Sequence, residues 1–282
     1  MRSTHTIELG PGVVVKRYRS VEHGQPEREW RALGLLDRYA PGMAPAPVSA
    51  DLDGEPPSVV MSRVAGAPVD EVVQGVLADA VAEAVDRVQR AVPRAVLEKV
   101  PARAGDPGAL LEQVRGWFGK GREEGTVADG LHQAGANGLH QAGADGLRQA
   151  GADGLHQADA LHQAGAWLGQ PSLAERLARP GTPVFGTGDG NLANYLWDGR
   201  RIRLVDFEYA GRSDRAFELA EVLEHISVWR DDESNGMDAV LERLELTAEE
   251  AARLTECRRL LALFWLLRTR AAAPAERMLA LL

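Results

Sequence analysis

Three polar side chains within residues 184–208, VFGTGDGNLANYLWDGRRIRLVDFE, have the types and spacing to do chemistry: Asp189, Asn194 and Asp206. Asp189 and Asn194 are spaced D-x-x-x-x-N in a glycine-rich stretch. Tyr195–Trp197 and Arg201–Val205 read as two short apolar strands around Asp198-Gly199, a strong hairpin signal. A hairpin centred near residue 200 sets Asn194 opposite Asp206, about 5 Å away as a cross-strand neighbour. Two oxygen-bearing side chains at the open end of a hairpin could chelate a hard cation such as Mg²⁺. Asp189, on the approach to that site, could accept the proton of an attacking hydroxyl. This is the layout of a phosphoryl-transfer site, where positioning and charge neutralisation do nearly all the catalysis.

Elements on both sides must hold these groups in place. Thr4–Leu9 and Gly12–Tyr18 alternate as strands do, with Gly10-Pro11-Gly12 as the turn and Lys16 in the second strand. Pro26 is a good first helical residue, and apolar positions 30, 33, 36 and 39 form a helical stripe. Glu29 stands at the border of that stripe and can point toward the neighbouring sheet. The proline- and glycine-rich run 41–57 predicts a loop with a short strand, and 57–65 an apolar strand ending near Gly66. Helices are expected over 78–100, over the amphipathic run 214–229 and as a closing pair over 247–282. Residues 128–166 repeat ADGLHQAG every eight positions. Eight residues turn a helix by about 800°, so successive leucines would drift around it. Two glycines in each full unit weaken helix further. The repeat therefore reads as a flexible surface insertion or a loosely helical arm. Its histidines follow the repeat and no ligand geometry.

The chain's 282 residues allow one large domain or two lobes around a cleft. A net charge of −9 argues against non-specific nucleic-acid binding and would suit a cationic substrate. Cys257 is the only cysteine, so no disulfide framework exists. No apolar run approaches a membrane span, and the N-terminus lacks a signal-peptide core, so a cytoplasmic protein is expected.

The 184–208 segment resembles the catalytic core of the aminoglycoside phosphotransferase and choline kinase superfamily. That superfamily's pattern is H-[GN]-D-x-x-x-x-N, a hairpin, then [IV]-D-[FW]-[EG]. Gly188, Asp189, Asn194, Val205, Asp206, Phe207 and Glu208 match it, and Thr187 replaces the histidine. The run DFEYAG with RAFELAEVLEH behind it is similar to the choline/ethanolamine kinase version.

The resemblance implies a two-lobed α+β protein-kinase-like fold with a reduced N-terminal β lobe (1–64) and a mainly helical C-terminal lobe (65–282) carrying the repeat insertion. It implies ATP and Mg²⁺ as cofactors, with Asp189 as catalytic base and Asn194 and Asp206 as metal ligands. Lys16 would hold the phosphates, Glu29 would orient Lys16, and backbone groups near 62–67 would meet adenine. Tyr209 and Glu218 would border the acceptor pocket, where the face of Asp214, Glu218, Glu221 and His225 and a tyrosine ring could hold an ammonium group; the alternatives are a solvated face for Glu221 and His225 and a structural Glu218 that buttresses the catalytic loop. The acceptor would be a small molecule, aminoglycoside-like or another amino alcohol. Choline or ethanolamine is the alternative, and a catalytically weak binding protein is the rival from another class.

Overall fold

The structure is a computed structural model, which describes residues 5–19, 21–70, 72–123, 157–230, 233–234, 236–269 and 272–282. Most of the repeat, 128–156, lies outside the described residues.

Strands β1 (His5–Leu9), β2 (Val13–Tyr18), β3 (Pro47–Asp51) and β4 (Ser58–Ser62) form an antiparallel sheet in the order β1-β2-β4-β3. The β1–β2 turn is tight: Gly12 has φ of 76°, and Gly10 N–H donates to the Val13 carbonyl at 2.9 Å. In register, Lys16 pairs with Ile7 on one side and Val59 on the other, so the three share a face. The helix Gln25–Tyr39 buries Glu29, Ala32, Leu33 and Leu36. Its buried stripe is therefore rotated from the one read in sequence, and Glu29 is at its centre, not its border. Arg28 on this helix donates to the carbonyls of Ala102 (2.7 Å) and Ala210 (3.2 Å), which ties it to the rest of the chain.

Residues 63–66 connect this sheet to the second part of the molecule. There, β5 (Ala67–Pro68) pairs with β7 (Tyr195–Trp197), and β7 forms a hairpin with β8 (Ile202–Leu204). Beside it, β6 (Pro183–Gly186) pairs with β9 (Gly211–Asp214). Helices pack around these strands, among them Gly75–Ala91, Pro107–Glu123, Arg215–Glu224 and Ala248–Thr269. The helix expected over 78–100 breaks at Val92-Pro93, because proline lacks the N–H that would continue it. The helix expected over 214–229 stops at Glu224. His225 leaves helical geometry and its ring takes the N–H of Ser227 instead. The end of the repeat differs from a surface insertion: 157–168 is helical, with Ala160, Ala164 and Trp167 in the core. Trp167 also donates to Glu256 at 3.1 Å. Among the described residues no helix is long and apolar enough to cross a membrane.

Candidate active site

Lys16 is only 3% exposed and lies among three carboxylates. Its Nζ is 3.0 Å from Glu29 Oε2, 2.6 Å from Asp206 Oδ1 and 3.1 Å from Glu208 Oε2. Burial alone would lower the Lys16 pKa, but Glu29, Asp206 and Glu208 together raise it above the ordinary lysine value, so the ammonium is fixed. Glu208 experiences the converse: burial pushes its carboxyl up, while His5 and Lys16 outweigh that and hold it at about 2. Glu29 also accepts the N–H of Phe207 at 3.0 Å, so one carboxylate braces both Lys16 and the backbone just after Asp206. One ammonium against three carboxylates leaves a surplus of negative charge, suited to a divalent cation.

On the opposite side, the loop after β6 turns at Gly188, whose φ is 77°. A Cβ there would stand 2.6 Å from the Tyr209 carbonyl oxygen, so only glycine fits. Asp189 follows, and its carboxylate is held by the loop itself: Oδ1 accepts from Asn191 N–H at 2.9 Å and Oδ2 from Asn194 Nδ2 at 3.0 Å. Burial raises the Asp189 pKa; the bonds from Asn191 and Asn194 oppose that, and the charge of Asp206 adds to it.

Asn194 ends a short 3-10 turn, Leu192–Asn194. The hairpin register pairs Tyr195 with Leu204, and Val205 N–H donates to the Asn194 carbonyl at 3.0 Å. Asn194 therefore faces Val205 and not Asp206, one residue from the expected pairing. The cause is the turn: Asp198 accepts the N–H groups of both Arg200 and Arg201, which makes 198–201 the loop. Asp206 follows with φ of 68°, a left-handed backbone that few non-glycine residues adopt. This bend turns its carboxylate toward Lys16.

Asn194 spends its amide nitrogen on Asp189, which leaves its Oδ1 for a cation; with Asp206 that makes two hard oxygen donors. Among the described residues no group of three His, Cys, Asp or Glu side chains could hold a metal. A pair of protein oxygens completed by phosphates and water is how Mg²⁺ is usually held, so the residues present fit it.

Of the two readings of Glu218, acceptor contact or buttress of the loop, the structure places it in the second: it is buried and occupied. Its Oε1 accepts from Arg103 at 2.8 Å and its Oε2 from Gly188 N–H at 3.2 Å. Arg103 also donates to Glu221 at 2.9 Å and to the Gly188 carbonyl at 3.3 Å, and it lies over the Phe217 ring. The acidic helix face is thus neutralised from inside and props the catalytic loop. Tyr209 is half-buried beside the loop, its phenol pKa raised by burial and then by Glu208. Sequence reading missed Arg103, and it read His225 only as one residue of the polar face of the 214–229 helix, not as a neighbour of Asp189. His225 Nε2 lies 3.7 Å from Asp189 Oδ1.

A small antiparallel sheet carrying a buried Lys–Glu pair, set against a loop carrying Asp189 and Asn194, defines a protein-kinase-like phosphotransferase. A sequence profile of the phosphotransferase enzyme family matches residues 3–257, and the chain belongs to that family. Membership makes the chain a phosphotransferase. Solved structures share the fold. A choline/ethanolamine kinase family protein from Mesorhizobium loti superposes with a TM-score of 0.59 at 16% identity, over 99% of this chain and 85% of that one. An aminoglycoside phosphotransferase from Alicyclobacillus acidocaldarius gives 0.56 at 14% identity, over 100% and 87%. A spectinomycin phosphotransferase in complex with ADP and spectinomycin gives 0.52 at 10% identity, over 99% and 85%. No curated protein sequence matches the chain.

Proposed function

We propose that this chain transfers the γ-phosphoryl group of ATP to a hydroxyl of a small amino alcohol, aminoglycoside-like in character. The observation that carries this reading is the nearness of the Lys16–Glu29–Asp206 cluster to the Asp189–Asn194 pair: Val205, next to Asp206, hydrogen-bonds Asn194, and the Asp206 charge acts on Asp189. Lys16, held by Glu29, meets the phosphates. Asn194 and Asp206 would hold Mg²⁺, which when bound supplies positive charge to the phosphate oxygens. Asp189 orients the acceptor hydroxyl and takes its proton as the hydroxyl oxygen bonds to phosphorus and ADP departs. In the tertiary arrangement Asp189 Oδ2 has a single donor, Asn194, while Oδ1 faces Asn191 and His225, so Oδ2 is the oxygen that receives the proton.

The sheet supports a nucleotide on independent grounds. Ile7 and Leu9 are 56% and 65% exposed although apolar, and both share the Lys16 face of β1 and β2. Exposed apolar side chains on the face that holds the phosphate-binding lysine would form a roof for a flat base. The acceptor's ammonium groups cannot be met by Glu218, which Arg103 and Gly188 already occupy; the amino-alcohol assignment rests on family membership and the net charge of −9. A choline- or ethanolamine-type acceptor is the second reading, favoured by the DFEYAG run.

The test is thermal unfolding with Mg-ATP, followed by labelled-phosphate transfer across aminoglycosides, choline and ethanolamine. Ligand at a hundredfold excess over Kd stabilises by about 2.7 kcal/mol, a shift easily seen. No shift at millimolar Mg-ATP together with no transfer to any acceptor contradicts the proposal.

A further inference from the structure

The helix Arg215–Glu224 ends at a residue aimed back at the catalytic loop. Ser227 N–H donates to His225 Nδ1 at 3.1 Å, and Ser227 Oγ lies 2.8 Å from the same nitrogen. A backbone N–H can only donate, so Nδ1 is an acceptor and the proton of the neutral ring sits on Nε2. That Nε2 is the atom 3.7 Å from Asp189 Oδ1. Trp265 packs edge-on against the ring, centroids 4.9 Å apart, and fixes its plane. Ser227 Oγ in turn accepts the N–H of Leu192 at 2.9 Å, so the 225–227 turn grips the loop on both sides of Asn191. Burial holds the ring pKa down to about 4, which keeps the imidazole neutral at ordinary pH. Thr187, where the family pattern has histidine, donates to the Asp189 carbonyl at 3.3 Å and so supports the backbone of the loop but not its carboxylate.

We propose that His225 is a positioning residue for Asp189. Its Nε2–H adds a second donor toward Oδ1 beside Asn191 N–H, reinforces the rotamer that the loop already sets and leaves Oδ2 for the acceptor hydroxyl. The inference rests on the phosphotransferase reading above. The 3.7 Å separation is long for a hydrogen bond; catalytic contacts of this kind tighten when substrate is bound.

The experiment compares wild type, His225→Phe and His225→Gln in Mg-ATP hydrolysis, with water as the acceptor. Phenylalanine keeps the ring packing on Trp265 and lacks the N–H; glutamine can present an N–H near the same place. His225→Phe should lower kcat about 10-fold with KM for ATP changed less than about twofold, the signature of an interaction that matters in the transition state. His225→Gln should return to within about threefold of wild type. Nitrogen-15 NMR of the wild-type ring should show the neutral Nε2–H tautomer, a readout that needs neither turnover nor a folded variant. Wild-type kcat in His225→Phe, a glutamine variant as slow as phenylalanine, or an Nδ1–H tautomer each overturns the inference while the phosphotransferase reading stands. A wild type that neither binds Mg-ATP nor transfers phosphate to water or any acceptor overturns that reading, and the role of His225 falls with it.

Discussion

Replacing Arg103 with methionine removes a buried guanidinium from between two carboxylates while keeping the side chain's apolar length. Arg103, Glu218 and Glu221 have side chains 7%, 4% and 16% exposed, and the two ion pairs measure 2.8 and 2.9 Å. Breaking a buried pair from one side costs about 3–5 kcal/mol, because the charge left behind has no partner. That is a large part of the ~5–15 kcal/mol that holds a typical domain folded. The loss should depend on pH. Burial, opposed by Arg103 and reinforced by Glu218 and Asp189, holds the Glu221 carboxyl up from 4.5 to about 7. Between those values the folded state binds more protons than the unfolded one, so this group's contribution to stability falls as pH rises through the window. A rise from 4.5 to about 7 corresponds to about 3 kcal/mol across it. Without Arg103 the Glu221 carboxyl rises further, so the deficit of Arg103→Met is largest near pH ~8 and shrinks toward pH ~5. Urea unfolding followed by circular dichroism at the two pH values measures it. A deficit under about 1 kcal/mol near pH ~8, the size of an exposed ion pair, refutes the reasoning, as does a deficit that grows on acidification.

Two further outcomes follow from the loop and the cation site. A Cβ at Gly190 would sit 2.0 Å from the Glu221 carbonyl oxygen, a backbone atom that cannot rotate away. Gly190→Ala should therefore push the loop off the helix, cost about 1–3 kcal/mol in chemical denaturation and slow turnover; a variant of unchanged stability and rate would show that the loop is not held there. Asp206→Ala should abolish Mg²⁺-dependent turnover, since it removes the charged one of two oxygen donors; a folded variant with wild-type turnover sinks the metal assignment.

The sequence made legible what is local. Asp189, Asn194, the hairpin and Asp206 fall within one continuous stretch, and glycine, turn and strand signals there agree with one another. Lys16 on a strand and Glu29 on the following helix are also local patterns, and the structure joins them at 3.0 Å. The hairpin register was off by one residue because the Asp198 carboxylate binds two successive backbone N–H groups, a choice that apolar alternation does not report. Arg103 had no signal: it lies 115 residues from Glu218, and it reaches the site because residues 101–103 run beside β9, with Arg103 N–H donating to the Arg212 carbonyl at 3.0 Å. Without that guanidinium in view, the choice between an acceptor-facing and a buttressing Glu218 stayed open, and Glu221 read equally as a solvated helix residue. His225 was read on a helix face, since nothing in the periodicity of 214–229 shows that its own ring would end the helix.

In the mechanism proposed above, Asp189 acts on the acceptor hydroxyl and not on the nucleotide. Asp189→Asn keeps the shape and the Asn191 contact but replaces the proton-accepting carboxylate with an amide. Calorimetry of Mg-ATP binding beside a labelled-phosphate transfer assay separates the two roles. Nucleotide affinity should stay within a few fold of wild type and transfer should slow by about 10²–10⁴-fold. Wild-type transfer in the folded variant, or affinity lost in step with transfer, contradicts it.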